Sequence, residues 1–462
     1  MGHDRMGATL GPRVVVAGTH SGVGKTTVAT GMLAALRRAG HRPSAAKVGP
    51  DFIDPGYHSL ACGRPPRNLD AWMCGTGVIA SLAGRAMTPD ADVLVVEGVM
   101  GLFDGAGDGA PSSTADVAKL LRAPVLLVVD AAALSGSVAA LVSGYARFDP
   151  DLRVAGVVLN RVGSEGHGIL LREALAPLDI PVVGALRRDD RFTWRDRHLG
   201  LVPVVEQADT VARSLDQLAT AIAEAVDLDA VLRLAREAPT LRVGPVPLPR
   251  RVAASTTSPL PVAVAAGAAF SFTYTDTLDA LVAAGLEPVP FDPRHDAALP
   301  HGACGLLAGG GFPEVHGAEL SANRPLLADV RRGAAAGLPI WAECGGLLWL
   351  CRSLDGLPMA DVLPADARMT DRLTLGYRTA RSTAASPVGP VDTVLRGHEF
   401  HYSVVEPGGT ALDLEARWGT RPDGYATPTL LATYLHVHPG GDPTPVERFA
   451  RACVSHRAGP SC

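Results

Sequence analysis

The chain has 462 residues, 47% of them hydrophobic, which supplies enough apolar side chains for two or three domains with cores of their own. A formal net charge of -5, with no basic run or lysine-rich tail, excludes the electrostatic footprint expected of a nucleic-acid-binding protein. Seven scattered cysteines, odd in number and without a C-x-x-C pair, argue against a disulfide framework and a structural zinc site and fit a reducing cytoplasm.

Met1-Gly-His-Asp-Arg-Met6 lacks the basic-then-apolar pattern of a signal peptide. The apolar run Arg13-Val-Val-Val-Ala17 is followed by Gly18-Thr-His-Ser-Gly-Val-Gly-Lys-Thr-Thr27 and then a helical stretch to Arg38. Strand, glycine loop and helix are the setting of a phosphate-binding loop. Gly22 and Gly24 let backbone N–H groups turn toward phosphate oxygens, and the helix N-terminus adds its positive end. Lys25 reaches the outer phosphates, Thr26 offers a hydroxyl to magnesium, and Thr27, at the helix start, is counted with them as ATP-binding. The strict pattern wants glycine where this chain has Thr19; Gly18 stands one place earlier, so the loop is a variant.

Next, Pro43 to His58 reads as a short strand ending in a loop that holds Lys47, Asp51, Asp54 and His58. Two readings stand here: a turn with self-capping aspartates, or metal binding and substrate contact at the mouth of the nucleotide site. Asp92-Val-Leu-Val-Val-Glu97 describes a buried parallel strand that delivers the Glu97 carboxylate at its C-terminal edge, a natural magnesium contact. Asp104 follows in a glycine-rich loop, either closing over a substrate or serving as a turn aspartate.

Pro124 to Asp130, Val154 to Arg161 and Ile180 to Ala185 continue a βαβ series, which predicts a mostly parallel, doubly wound α/β sheet. The apolar window from Ala123 to Val142 carries Asp130 in its middle and reads as strand plus helix, not as a membrane span. Asn160, at its strand end, is placed to read an adenine edge. Gln207 to Arg236 is amphipathic at helical spacing and closes a first domain over 1–240. Residues 241–260, rich in Pro, Arg, Thr and Ser, read as a linker to a second α/β domain over 261–455.

In that second half Gly305-Leu-Leu-Ala-Gly-Gly-Gly-Phe-Pro-Glu314 is a strand opening into a glycine loop. Leu338-Pro-Ile-Trp-Ala-Glu-Cys-Gly-Gly346 runs an apolar strand into Cys344, after which an amphipathic helix is expected. Such a strand–nucleophile–helix turn exposes its side chain, whereas a buried structural cysteine is the alternative. A nucleophilic thiol needs a base. His436 and His438 in Thr433-Tyr-Leu-His-Val-His438 are candidates, beside His398, Glu399 and His401; their spacings resemble no zinc motif.

Several of these stretches, in this order and over nearly the whole chain, resemble the cobyrinic acid or hydrogenobyrinic acid a,c-diamide synthases of cobalamin biosynthesis. They are the P-loop, Lys47 to His58, Glu97 to Gly105, Leu159 to Gly163, Gly309 to Glu314, Ala342 to Gly346, Gly397 to Ser403 and Tyr434 to His436. That family joins a synthetase domain similar to dethiobiotin synthetase to a class I-like glutamine amidotransferase domain. The resemblance implies a ligase with ATP, L-glutamine and a tetrapyrrole acid as substrates and Mg2+ as cofactor.

It further implies Cys344 as the glutaminase nucleophile, His436 as its activator, and Gly310 and Gly311 as oxyanion donors. Thr26, Asp51 and Glu97 would hold magnesium, Asn160 would contact adenine, and Lys47, Asp54 and Asp104 would serve the acyl-phosphate site. Ammonia would pass within the protein, and a cytoplasmic location without nucleic-acid or membrane partners is expected; a homodimer is left open. Two departures stand out. His438 occupies the place, two after the histidine, where amidotransferases usually have a glutamate, and Ala265 to Phe272 lacks an Arg-Asp pair that many relatives carry. Cobyric acid synthase, a nickel-tetrapyrrole diamide synthase and a partitioning-type switch ATPase are the rival readings. The last typically has a lysine where this chain has His20, and has no need of a Cys344 elbow.

Overall fold

The computed structural model describes residues 9–87, 90–189, 196–197, 200–201, 208–252, 259–417 and 419–458. Met1 to Met6, Gln207, the middle of the expected linker and Cys462 lie outside them. The chain divides into two compact units, Met1–Val246 and Pro247–Cys462.

The first unit is built on β1 (Arg13–Gly18), β2 (Pro43–Val48), β3 (Arg67–Leu69), β4 (Val93–Glu97), β5 (Val125–Asp130), β6 (Val154–Val162) and β7 (Val182–Arg187). Their spatial order is β3-β2-β4-β1-β5-β6-β7, and every neighbouring pair is parallel. Unbroken runs such as Val14-Val-Val16 and Val93-Leu-Val-Val96 are fully buried because helices cover both faces of a parallel sheet. β1 lies between β4 and β5, so the order reverses beside the phosphate-binding loop, which is where open α/β sheets bind ligands. Helix α1 (Lys25–Arg38) follows β1 and packs with Leu218 and Ile222 of a later helix, Ala208–Ala225, in one apolar core.

Asp51 lies in the loop expected, but the stretch from Ile53 to His58 does not. Lys47 belongs to β2, and Asp54 and His58 lie on helix α2 (Ile53–Cys62). Pro55 is tolerated there because the first turn of a helix has no intrahelical use for its missing N–H. Asp51 Oδ1 accepts from the N–H groups of Ile53 (2.8 Å) and Asp54 (3.3 Å), so it is a capping aspartate as well as a site neighbour.

The second unit has a sheet in the order β9-β8-β10-β11-β13-β12, from β8 (Leu260–Ala265), β9 (Leu286–Phe291), β10 (Leu306–Ala308), β11 (Ile340–Glu343), β12 (Tyr425–Thr427) and β13 (Leu430–Thr433). All pairs are parallel except the edge pair β12–β13. A long antiparallel pair, Asp366–Ser382 with Val394–Glu406, anchors a second sheet, and His436–Val437 pairs onto its edge. The helix after Cys344, Gly345–Leu350, is buried on every side instead of amphipathic, with Trp349 packed on Phe270 and Phe291. Among the described residues no helix is long and apolar enough to cross a membrane.

Candidate active sites

In the first unit, strand register assembles the centre. Val16 of β1 and Lys47 of β2 both lie level with Glu97 of β4, so Lys47 and Glu97 emerge side by side next to the phosphate-binding loop. Gly24 adopts φ 96°, and a Cβ there would lie 2.2 Å from Asn160 Nδ2, so only glycine fits this turn. No side chain caps the N-terminus of α1, and Lys25, Thr26 and Thr27 form its first turn.

Thr26 Oγ1 donates to Glu97 Oε1 (2.7 Å) and lies 3.3 Å from Asp54 Oδ2. Lys47 Nζ donates to Asp54 Oδ2 (2.6 Å), Glu97 Oε1 (2.9 Å) and the Gly98 carbonyl (3.1 Å), engaging all three of its protons, with Asp51 Oδ2 3.7 Å away. His58 Nε2 meets Glu97 Oε2 at 2.6 Å. Lys47 and Glu97 are both buried. Burial raises the Glu97 carboxyl, but the Lys47 ammonium and the His58 contact outweigh it and hold Glu97 well below the usual carboxylate range. Burial and the neighbouring Asp51 push the Asp54 carboxyl well above its usual range. Lys25 Nζ donates to the Met100 carbonyl (2.6 Å), and burial together with the Lys47 charge pulls its ammonium down to about 8.

The residues expected to bind phosphate, metal and substrate are thus brought together, except that Asp104 is exposed and accepts from the Gly101 N–H (2.8 Å). Lys47 joins the Asp54 and Glu97 carboxylates, and Glu97 in turn accepts from the Thr26 hydroxyl. Asn160 Nδ2 donates to the Val23 carbonyl (2.8 Å), fastening β6 to the phosphate loop. Replacing Lys47 by methionine would leave Asp54 and Glu97 buried without their counter-ion. We expect a loss of about 3–5 kcal/mol of stability, seen as a lower urea midpoint of the full chain; an unchanged midpoint would contradict the buried pairing.

Oxygen donors of the kind magnesium prefers converge here. Among the described residues no group of three or more His, Cys, Asp and Glu side chains is arranged to hold a metal unaided. Magnesium nevertheless fits: it needs only one or two carboxylates, with phosphate and water completing its shell. The Thr26 hydroxyl, its proton directed at Glu97, turns its lone pairs outward.

In the second unit Cys344 sits at φ 48° and ψ -100°, a strained bend between β11 and the buried helix. A side chain at Gly346 would strike the Ala308 carbonyl at 2.1 Å, so the elbow needs glycine there. β11 and β13 are neighbours with Glu343 level with Thr433. The chain after β13 is fixed by Asp423, whose Oδ2 accepts from Thr433 Oγ1 (2.5 Å) and the Tyr434 N–H (3.1 Å). This carries His436 to Cys344, with which it shares a side-chain hydrogen bond.

His436 Nδ1 lies 3.4 Å from Glu343 Oε2, and Glu343 Oε1 accepts from the Val437 N–H (3.2 Å). Burial lowers the His436 imidazolium, but Cys344 and Glu343 outweigh it and raise it to about 10. The carboxylate beside His436 is therefore Glu343, the residue immediately before the cysteine, which the local sequence did not mark as its partner. The other histidines are engaged elsewhere. His438 Nδ1 accepts from the Gly440 N–H (3.0 Å), and its Nε2 lies 3.6 Å from Asp276 Oδ2 beside the Tyr274 ring. His401 stacks on Tyr434 with ring centroids 3.6 Å apart.

The oxyanion assignment needs a correction. The Gly310 N–H donates to the Phe272 carbonyl (3.1 Å), and Phe272 N–H returns a bond to the Gly310 carbonyl (3.0 Å), so Gly310 is held in a bridge and is no donor to an oxyanion. Gly311 N lies 3.0 Å from where a Cβ of Gly345 would stand, beside the elbow. Gly310 instead faces His436, whose Cε1 is 2.5 Å from the position of a Gly310 Cβ.

Comparison with known proteins agrees with both halves. Residues 14–202 match the family model described as a CobQ/CobB/MinD/ParA nucleotide binding domain. Residues 261–444 match that of a CobB/CobQ-like glutamine amidotransferase domain. The chain is similar to a hydrogenobyrinate a,c-diamide synthase of Streptomyces coelicolor, 46% identical over 96% of this chain and 97% of the relative. A protein of the same name from Thermobifida fusca is 46% identical over 97% of this chain and 98% of the relative. A cobyrinate a,c-diamide synthase of Syntrophotalea carbinolica is 44% identical over 96% and 98%.

Proposed function

The chain belongs to the hydrogenobyrinate and cobyrinate a,c-diamide synthases, and from that premise we propose that it converts the a and c acetate side chains of hydrogenobyrinic acid to amides, drawing on ATP and glutamine. The observation that carries this reading is that both chemistries are built in one chain: Cys344 with His436 and Glu343 in one unit, and Lys25, Thr26 and Glu97 around a phosphate loop in the other. The choice of the cobalt-free ring is supported by the two relatives of that name at 46% identity.

In the second unit Cys344 attacks the glutamine amide carbon, forming a glutamyl thioester and releasing ammonia after proton donation by His436. Water then hydrolyses the thioester. Donors beside the elbow, with the Gly311 N–H the best placed, stabilise the oxyanion. In the first unit ATP phosphorylates a peripheral carboxylate, because a carboxylate is a poor electrophile and an acyl phosphate a good one. Ammonia attacks the acyl carbon and phosphate leaves, so each amide consumes one ATP and one glutamine. Lys25 and the loop N–H groups hold the transferring phosphoryl group. Thr26, Asp51 and Glu97 would hold magnesium, which would supply neutralisation of phosphate charge. Asn160 contacts adenine through its remaining amide capacity. Asp54, with its carboxyl raised, is suited to take a proton from the incoming ammonia, and exposed Asp104 to orient it. These steps suit a cytoplasmic enzyme.

Feeding glutamine with a heavy-nitrogen amide tests the coupling: both new amides should carry the label, and unlabelled amides would sink the reading. Glu343 is a positioning residue for His436. Glu343→Gln is expected to lower glutaminase kcat roughly a hundred-fold. It should also move the alkaline limb of the pH profile, set by His436 near about 10, to lower pH, since a negative charge that favours the imidazolium is lost. An unmoved limb would leave Glu343 a merely structural residue.

A further inference from the structure

The phosphate-binding loop of the first unit is gripped from outside by side chains of later elements. The Tyr145 hydroxyl, on helix α3 (Ser137–Phe148), donates to the Thr19 carbonyl. At the end of β6, Arg161 Nη2 donates to the Gly22 carbonyl (2.9 Å), next to the Asn160 amide that donates to the Val23 carbonyl (2.8 Å). Carbonyls at both ends of the loop are thus held by groups far away in the chain.

A trans peptide points its C=O and the following N–H in opposite directions. Each captured carbonyl therefore turns the next amide away from its captor: Thr19 sets the His20 N–H, Gly22 the Val23 N–H and Val23 the Gly24 N–H. Gly22 (φ 80°) and Gly24 (φ 96°) supply the left-handed backbone that gathers such N–H groups into an anion-binding concavity. The grip is itself braced. Arg161 holds φ 58°, a strained conformation for any residue but glycine, and its N–H donates to Asn160 Oδ1 (2.9 Å), which aims the Asn160 amide at Val23. Arg161 Nη1 donates to Asp130 Oδ2 (2.5 Å), and Asp130 lies level with Asn160 across β5 and β6. An exposed ion pair adds little to folding stability, so a strained Arg161 held between Asp130 and Gly22 is explained by the loop it carries.

We propose that Tyr145 and Arg161, acting with Asn160, are positioning residues for ATP: they hold the loop carbonyls outward, so that the Val23 and Gly24 amides face the phosphates. The inference rests on the ATP-dependent reading above and is independent of the identity of the ring. A loop with two left-handed glycines is costly to order, and side chains that keep it in its binding shape remove that cost from phosphate binding. The effect belongs to the phosphate end, so ATP, ADP and a bare polyphosphate share it.

Arg161→Gln and Tyr145→Phe, each in the full chain, test this. The first removes the bond to Gly22 from an exposed side chain, and the second removes one hydroxyl while keeping the ring. By calorimetry with magnesium, the Kd for ATP and for ADP is expected to rise about ten-fold in Arg161→Gln and about five-fold in Tyr145→Phe. Tripolyphosphate, which carries no nucleoside, should weaken by the same factors when it displaces ADP. The kcat at saturating ATP should stay within roughly two-fold, because the loop grips ground state and transition state alike. Parental ATP affinity in both variants overturns the proposal, and in one of them strikes that residue from it. Weakened ATP with unweakened tripolyphosphate also overturns it, making Arg161 a nucleoside contact. If the unsubstituted chain binds no ATP, the ATP-dependent reading itself fails and the proposal with it.

Discussion

Cys344→Ala is expected to abolish glutamine-driven amidation while leaving amidation driven by ammonium salts in place. The thiol sits on a strained bend, hydrogen-bonded to His436, and no other described side chain at that elbow offers a nucleophile. Loss of a covalent nucleophile lowers turnover by about four orders of magnitude or more. The synthetase centre is built from residues of the other unit, from Gly22 to Asn160, none of which the substitution touches. Supplied with ammonia, it should still convert acyl phosphate to amide. Assays with glutamine and with ammonium chloride, in parallel, read the two activities; loss of both would refute the division of labour.

The second large effect is the mirror image. Lys25→Ala should lower ATP-dependent amidation by about a thousand-fold with either nitrogen source. Lys25 is buried at the loop with its ammonium on the Met100 carbonyl, and burial with the Lys47 charge leaves it poorly stabilised until an anion arrives. An incoming phosphate therefore gains more from this ammonium than from a solvated surface lysine. Basal glutamine hydrolysis should survive, measured as glutamate released without ATP. Retention of ATP-dependent amidation in this variant would show that Lys25 does not hold the transferring phosphoryl group.

What the sequence made legible was whatever local chemistry dictates. Apolar, largely β-branched runs marked β1, β4 and β5, the first two closed by glycine, and the bend at Cys344 followed from one cysteine between an apolar strand and two glycines. The sheet class followed from strands alternating with helices. Less legible was what depends on strand register. Glu343 reaches His436 because β11 and β13 are neighbours, a pairing between positions far apart in the chain that no local pattern encodes. The usual acid position, two after the histidine, holds His438, which turns to Asp276 instead.

Asp54 and His58 were expected in a loop because glycine and proline surround them, yet a proline in a helix's first turn does not break it; Asp51 keeps to the loop expected. Gly310 was an expected donor until the Phe272 bridge engaged its N–H. Lys47 could be read as a substrate contact, but three acceptors within one buried cluster make it a counter-ion.

The most direct test of the central claim is to incubate the full chain with ATP, magnesium and glutamine, offering hydrogenobyrinic and cobyrinic acid in parallel, and to follow product mass. The structure and its relatives lead us to expect two amides per ring, formed faster on hydrogenobyrinic acid. ATP hydrolysis with no amide on either ring would contradict the account.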